Sequence, residues 1–359
     1  MKLRYHNWTW LFLIILFPVI FGCAADEELD EAERPEQTFN LSLATFWPAT
    51  DFMVAEGHNK WIEEVEKRTD GRVQINLHSG ESLLGAREIY NGVAGGVADI
   101  GTTCPSYTPG MFPLMEAFEL PGYQNVNAVS ASMTAHEGYK RIKQDLGVDE
   151  FEDVKVLFFW ATGPGDIMSK KPARNLQELA GMEIRAVGGT VPPLEKLGAV
   201  THSMPMSESY LALDQGLVDG ILAPNDTLKG FRLAEVVDYV THTPFLYNVV
   251  FMKIMNKGTW NSLPPDIQDV FREMNDEFAY EYGLLRAEHT KLGLEYGMDE
   301  HGMEFFELEE DEEQKWLERI QPVVEDWIKK QEDRGLPAEQ AVELIRELDE
   351  KFSAEYFDY

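Results

Sequence analysis

The stretch from Leu176 to Lys229 constrains the fold of this chain more than any other. Short apolar runs alternate there with helical patterns, and glycines close several of the turns between them. Strands that alternate with helices in this way are typical of a parallel sheet, so the stretch predicts an α/β fold. The predicted elements are a strand over Gly181–Val187, a helix over Val191–Leu197, a strand over Ala199–Met204, a helix capped by Ser207 that runs to about Gln215, and a strand over Val218–Ala223.

One arginine, Arg185, lies near the end of the first of these strands, shortly before the pair Gly188 and Gly189. A planar guanidinium offers two parallel donors to a carboxylate, and the pair is strengthened when a closed cleft removes water. The alternative is an arginine that braces an acidic side chain of its own protein. Arg185 is therefore a candidate carboxylate clamp.

The N-terminal segment has the pattern of an export signal. Two basic residues precede an apolar run over Trp10–Phe21, which is too short to cross a bilayer of roughly 30 Å as a helix. The run ends before Cys23, so residues 1–22 are predicted to be a lipoprotein-type signal peptide and Cys23 its lipidated residue. Ordinary cleavage near Ala25 is the alternative. Residues 23–37 are acidic and poor in apolar side chains, which predicts a disordered tether.

Charge and motif content narrow the class of function. The chain has 31 Lys and Arg against 63 Asp and Glu, a net charge of −32, which makes nucleic acid a poor partner. Cys104 is the single cysteine after Cys23, and no His or Cys spacing suits a metal. Familiar catalytic motifs and nucleotide loops are lacking as well. We therefore expect a binding protein with no cofactor and no metal; an exported α/β enzyme acting on a small acid is the alternative.

Five short motifs, taken together and in this order, resemble those of the extracytoplasmic solute receptors of TRAP transporters. The resemblance extends roughly from Phe39 to Glu288. The motifs are Thr69–Val73 (TDGRV), Ala98–Gly101 (ADIG), Tyr107–Pro113 (YTPGMFP), Gly181–Arg185 (GMEIR) and Tyr210–Gly220 (YLALDQGLVDG).

This resemblance implies a two-lobed, periplasmic-binding-protein-like α/β fold with a cleft between the lobes. A long helix that begins near Asp266 is the candidate to bridge both. The predicted lobes are 38–160 plus 245–285, and 161–244 plus 286–359 with the C-terminal helices. The implied protein is a periplasmic, monomeric receptor, anchored through Cys23, that passes a small organic acid to a membrane permease. A sensing subunit of a signalling receptor is a further alternative.

A weak internal repeat in the sequence also favours two similar lobes. Each copy places a tyrosine, a glycine six residues later and an aspartate three residues after that, at the end of a helix and the start of a strand. The two copies are Tyr90, Gly96, Asp99 and Tyr210, Gly216, Asp219.

Four aromatic residues are candidates to line the cleft, because they fall at strand ends or loop starts, where α/β ligand sites form. For each of them core packing is the alternative. They are Trp47, Phe52, Trp160 and Tyr210.

The chain also departs from the motifs of this family. Many members carry a second arginine shortly after the position of Trp160, where this chain has Gly163–Asp166, and an asparagine where it has Ala223. Asn225 is the candidate substitute, and Asp166 would repel a second ligand carboxylate or attract an amino group. We therefore expect a monocarboxylate with an apolar or aromatic body, with a C4-dicarboxylate as the competing ligand.

Overall fold

The computed structural model describes residues 37–359, so the predictions for the signal peptide and Cys23 lie outside the described residues. Two β-sheets organise this range. The strands are β1 (Phe39–Thr45), β2 (Val73–His78), β3 (Ile100–Thr103), β4 (Val154–Ala161), β5 (Asp166–Ser169), β6 (Glu183–Arg185), β7 (Val200–His202), β8 (Gly220–Ala223), β9 (Tyr239–Thr241), β10 (Val250–Asn256) and β11 (Glu304–Phe306).

Helices pack around the two sheets, and a π-helical turn at Met53–His58 leads into the first of them. The helices are α1 (Asn59–Arg68), α2 (Ile89–Ala94), α3 (Ala128–Asp145), α4 (Leu176–Leu179), α5 (Val191–Leu197), α6 (Met206–Asp214), α7 (Thr227–Gly230), α8 (Lys257–Ser262), α9 (Pro265–His301), α10 (Glu310–Ile320), α11 (Pro322–Glu332) and α12 (Ala338–Glu355).

The first sheet has the strand order β2-β1-β3-β10-β4, and the second has the order β11-β9-β5-β8-β6-β7. In the second sheet β6 lies between β7 and β8 and is parallel to both, as the alternating pattern predicted. Strand β5 runs antiparallel to β8 and β9, so the sheet as a whole is mixed. The two-lobed α/β architecture predicted from the sequence is confirmed.

The predicted cap of α6 is wrong. The helix begins at Met206, directly after Pro205, and Ser207 lies inside its first turn. Proline fixes its own φ near the value that a helix start requires, so the chain enters the helix there and has no need of the serine hydroxyl.

The internal repeat corresponds to the same local arrangement of glycine and aspartate in both sheets. Gly96 and Gly216 have φ angles of +77° and +72°, which a side chain would strain. In the first sheet a carboxylate oxygen of Asp99 accepts the backbone N–H of Ser42 at 2.8 Å. In the second, Asp219 accepts the backbone N–H of Glu183 at 3.2 Å. Each aspartate thereby ties the start of its strand to the neighbouring strand.

Helix α9, 37 residues long, connects the two lobes, as predicted for a helix that begins near Asp266. It packs against α3 and β4 on the side of the first sheet and against α7 on the side of the second. No helix within residues 37–359 has both the length and the apolar content to cross a membrane.

The last helices divide between the lobes. Helix α10 packs against α5 of the second lobe, but α12 packs against α3 of the first, so the assignment of all C-terminal helices to the second lobe needs correction. The apolar stripe of α12 shows that one face is buried without showing which partner covers it. The remaining lobe boundaries stay a prediction.

Candidate ligand-binding site

Arg185 is placed at the cleft by the end of strand β6. Its side chain is only 1% exposed, although the guanidinium remains charged in proteins. Its Nε donates to the carbonyl of Met204 at 2.9 Å, whereas Nη1 has no hydrogen-bond partner. Among residues 37–359 no carboxylate forms an ion pair with Arg185. An unpaired charge at this depth costs several kcal/mol, so the alternative that Arg185 braces an acidic side chain is not supported.

A second buried arginine, Arg286, lines the same cavity, and the sequence reasoning missed it. It is 2% exposed and lies on helix α9. Its Nη2 forms an ion pair with Asp226 at 2.9 Å, while its Nε and Nη1 have no hydrogen-bond partner. A signal was present in the sequence: Phe278, Tyr282 and Arg286 follow one another at four-residue spacing, so the arginine continues a buried helical stripe.

Aromatic side chains are the largest group among the residues that line the cavity. Trp47 is one of the lining residues, and its ring stacks on Phe46 with centroids 4.0 Å apart. The space between the walls is about 310 Å³, and most of it is too narrow to admit even a water molecule. A ligand of any size therefore needs the lobes to open first. The aromatic lining residues are Phe46, Trp47, Tyr107, Phe231, Tyr247 and Phe251.

Two of the predicted aromatic residues lie behind this lining. Trp160 is fully buried, and its ring packs 6.2 Å from that of Trp47. Phe52 stacks on His289 of helix α9 with the ring centroids 4.0 Å apart. Phe52 also lies 5.8 Å from the guanidinium of the lining residue Arg286. Neither Trp160 nor Phe52 is itself a lining residue, in agreement with the alternative of core packing.

Tyr210 is not brought to the cavity. Its hydroxyl donates to Glu235 at 3.1 Å, and the guanidinium of Arg232 lies 5.7 Å from its ring, both on the outer side of the second lobe. The prediction counted Tyr210 among residues at strand ends or loop starts, although the sequence also predicts a helix around it. Inside helix α6 the helical turn decides which way the side chain faces.

Asp166 and Asn225 bind each other instead of facing the cavity. The amide nitrogen of Asn225 donates to Asp166 at 2.7 Å, and Asp166 also accepts the backbone N–H of Thr243 at 2.8 Å. His242 lies 3.0 Å from the same carboxylate, and this hydrogen bond raises the pKa of His242. The oxygens of Asp166 are thus occupied by groups of its own protein, and its predicted effect on a ligand's second charged group stays a prediction. Asp166 and Asn225 line an adjoining pocket that shares Thr162 with the cavity.

The buried carboxyl groups around the cavity leave one uncompensated positive charge. Asp226 forms the ion pair with Arg286; burial raises the pKa of Asp226 to about 6, although the nearby guanidinium acts to lower it. Burial also raises the pKa of Asp51, which neighbours Asp226, to about 7. Neither carboxylate pairs with Arg185. Of the two arginines that line the cavity, Arg185 is therefore the one without an acidic partner among residues 37–359.

A seam of hydrogen bonds joins the two lobes beside the cavity, which Tyr107 of the first lobe and Met206 of the second both line. Glu119 of the first lobe accepts the backbone N–H of Gly189 at 3.0 Å, and Tyr107 accepts that of Met206 at 3.1 Å. Burial raises the pKa of Glu119 to about 8. Two further hydrogen bonds cross the same seam: Arg87 to the carbonyl of Ser203 at 3.2 Å, and Ser207 to Glu81 at 3.0 Å.

A wider groove of about 780 Å³ opens along the outer edge of this seam, between Pro109 and Phe112 of the first lobe and Val191 and Pro192 of the second. It contains no arginine. The smaller cavity is the better candidate because its lining includes buried cationic donors that lack partners, and these are what an acid ligand needs. Within the described residues no cluster of His, Cys, Asp and Glu has the arrangement of a metal site.

Two lobes joined by a long helix around a buried, cationic and aromatic cavity are typical of a solute-binding protein. Residues 43–331 match the sequence profile of the bacterial extracellular solute-binding proteins, family 7. The chain belongs to this family, whose members include the solute receptors of TRAP transporters and work outside the cytoplasm with membrane permeases.

Proteins of this family with known structures are similar over almost their whole length. A TRAP periplasmic solute-binding protein from Desulfovibrio salexigens, solved as an open complex, is 36% identical, with a TM-score of 0.75 over 88% of this chain and 97% of that chain. A TRAP solute-binding protein from Rhodoferax ferrireducens, in complex with copurified benzoate, is 27% identical, with a TM-score of 0.83 over 89% and 99%.

A relative with a different ligand is the C4-dicarboxylate-binding periplasmic protein DctP of Rhodobacter capsulatus. It is 27% identical over 279 residues, which is 77% of this chain and 82% of the relative.

Proposed function

We propose that this TRAP solute receptor captures a monocarboxylate with an apolar, aromatic body and holds the carboxylate with Arg185. The observation that carries the proposal is the buried guanidinium of Arg185, which has no ion-pair partner within residues 37–359 and an Nη1 without a hydrogen-bond partner. A ligand carboxylate would accept from that nitrogen and neutralise the charge at the same time. The planar fork of arginine fits this task better than an ammonium group.

The charge balance of the cavity favours one ligand carboxylate over two. Arg286 is already neutralised by Asp226 at 2.9 Å, so a second carboxylate beside Arg286 would meet an acidic neighbour. Burying a charge without a matching partner costs several kcal/mol. A C4-dicarboxylate, the ligand named for the Rhodobacter capsulatus relative, fits this balance less well.

The aromatic lining favours a flat, apolar ligand body. Phe46, Trp47 and Phe251 pack as a group, with the ring of Trp47 lying 4.9 Å from that of Phe251. Stacked or edge-on aromatic contacts stabilise an aromatic ligand beyond the effect of area burial alone. The benzoate bound to the Rhodoferax ferrireducens receptor supports the same ligand class.

We further propose that Cys23 is lipidated and that the receptor is tethered to the membrane as a monomer. The support is the short apolar run that ends at Gly22 and Cys23 in the sequence.

A ligand panel tests the ligand class. Purified receptor is first unfolded and refolded to remove any bound ligand, and thermal unfolding is then followed with benzoate, phenylacetate, 3-phenylpropionate, succinate and malate. We expect stabilisation by at least one aromatic monocarboxylate and none by the dicarboxylates. Stabilisation by succinate or malate alone would overturn the proposal. Mass spectrometry of the material released on unfolding identifies the natural ligand independently.

A further inference from the structure

Arg286 contributes an unassigned set of hydrogen-bond donors to the cavity. Its guanidinium carries five N–H groups, and the ion pair with Asp226 involves Nη2. Nε and Nη1 have no hydrogen-bond partner, although the side chain is 98% buried. The guanidinium lies over the rings of Phe251 and Phe52, at 5.4 Å and 5.8 Å from their centroids. A buried polar group without a partner is costly, so these nitrogens need an acceptor from outside the protein.

The chemistry of that acceptor follows from Asp226. The carboxylate of Asp226 already balances the charge of Arg286, so the pair offers hydrogen bonds without offering net charge. A neutral oxygen satisfies the N–H groups and adds no charge. A second carboxylate would also satisfy them, but it would leave one buried negative charge in excess. The two arginines that line the cavity are thus chemically different: Arg185 needs an anion, and Arg286 needs a neutral acceptor.

We infer that Arg286 is a specificity-determining residue and that the ligand carries a neutral oxygen acceptor, such as a keto, hydroxyl or ether oxygen, in addition to its single carboxylate. This inference rests on the proposed function and narrows it from aromatic monocarboxylates to oxygenated ones. Arg185 then fixes the charged end of the ligand, and Arg286 distinguishes oxygenated acids from hydrocarbon acids of the same shape.

Three acids with the same carbon skeleton test the inference in the unmodified receptor. They are 3-phenylpropionate, 3-phenyllactate and phenylpyruvate, which carry no oxygen, a hydroxyl and a keto oxygen beside the carboxylate. 3-Methoxybenzoate against benzoate tests an oxygen placed on the ring. By calorimetry we expect at least one oxygenated acid to bind about tenfold or more tightly than its parent acid.

Variants then assign the effect to Arg286. Arg286→Gln keeps a donor without the charge, and the double variant Arg286→Met with Asp226→Asn removes both charges of the pair, so that no unpaired ion is left in the core. We expect the double variant to bind the oxygenated acid and its parent equally, and Arg286→Gln to keep part of the preference. Circular dichroism and a cooperative thermal unfolding transition show that each variant is folded.

The possible results separate the inference from the proposed function. If parent acids bind as tightly as every oxygenated partner, the inference is overturned and the proposed function stands. The same holds if the preference survives in the double variant. If succinate or malate binds while every aromatic acid fails, both are overturned.

Discussion

Arg286 and Asp226 form an ion pair at 2.9 Å in which both side chains are almost fully buried. Arg286 belongs to the bridging helix α9, and Asp226 directly precedes helix α7 of the second lobe. The pair therefore connects the helix that joins the lobes to the wall of the cavity. It also sets the charge of the cavity, since it neutralises one of the two arginines.

Asp226→Asn should change the ligand preference of the receptor. The substitution leaves Arg286 without its counter-ion, so the cavity gains one positive charge and a dicarboxylate becomes better matched. We expect succinate to gain about tenfold in affinity relative to benzoate. Loss of the buried pair should also lower the free energy of unfolding by roughly 3–5 kcal/mol. Asp214→Asn, at an exposed position of helix α6, is the control. An unchanged ratio of the two affinities would contradict the charge balance described here.

Arg185→Met should separate binding from stability. The arginine is buried without an ion-pair partner in residues 37–359, so replacing it with an apolar side chain of similar length removes a desolvated charge. We expect the ligand-free variant to unfold at the same temperature as the unmodified protein or a few degrees higher, and to show no shift with ligand. Arg174→Met, at an exposed site, should change neither result. A large loss of stability without ligand would indicate that Arg185 has a structural role instead.

Replacing Arg185 with alanine or lysine measures how much its guanidinium contributes to the binding free energy. Arg185→Ala should cost roughly 3–5 kcal/mol of binding free energy, about two to four powers of ten in affinity. Arg185→Lys should recover only part of this, because an ammonium cannot make two parallel hydrogen bonds. Calorimetry with the best ligand of the panel gives both values, and full recovery by lysine would argue against a bidentate contact.

The sequence predicts much of the fold because local signals agree there. Helix α5 begins at Val191 and ends at Leu197, as predicted, since prolines follow its first residue and Gly198 takes the left-handed conformation that ends it. In both lobes the aspartate of the internal repeat accepts a backbone hydrogen bond from the neighbouring strand. The helix boundaries and the Tyr–Gly–Asp spacing depend on residues that are close in the sequence, so they can be recognised without the tertiary structure. The partners of the two aspartates lie 57 and 36 residues away and could not be predicted in this way.

The site is harder to predict because its residues come from distant segments. Arg185 and Arg286 lie about a hundred residues apart, on a strand and on a helix, and only the packing of α9 brings both to one cavity. A position near a strand end identified Trp47 but failed for Tyr210, which lies on a helix and faces outward. The acidic groups that decide the charge balance could not be identified from the sequence either, since burial at Asp226 depends on the closed tertiary structure.

Affinity should fall as pH rises, because closing the lobes takes up a proton at Glu119. Burial in the closed seam raises its pKa from an ordinary 4.5 to about 8, so the closed state is favoured below pH 4.5 and loses this advantage as pH approaches 8. We expect Glu119→Gln to flatten the dependence of affinity on pH between about 5.5 and 8.5. Asp51, with its pKa raised to about 7, acts in the same direction and leaves a residual slope. The exposed Glu152→Gln is the control, and an equally steep profile in Glu119→Gln would rule out this residue as the source.

Cys23→Ser should release the receptor from the membrane. One acyl chain gives only marginal membrane binding, and the several chains of a lipidated cysteine are needed for stable anchoring. We expect the unmodified protein in the membrane fraction after a high-salt wash and the variant in the soluble fraction, with equal ligand affinity. Recovery of the unmodified protein in the soluble fraction would instead favour ordinary cleavage near Ala25.

Gly188→Ala should impair closure without touching the cationic donors. A methyl group at this position would overlap Glu119 and Ser106 of the opposite lobe, and Gly188 also has a φ of +54°. Gly181→Ala is a matched control in the same lobe: its φ is +77°, so the backbone strain is similar, but nothing lies within 4 Å of the added methyl group.

With the best ligand of the panel, small-angle scattering should show compaction for the unmodified protein and for Gly181→Ala, but little for Gly188→Ala. Affinity should fall by about tenfold or more in Gly188→Ala alone, because the lobe contacts that accompany closure are lost. If Gly188→Ala compacts and binds like the control, closure does not depend on the contact between Gly188 and the Glu119 region. Other contacts between the lobes must then stabilise the closed state.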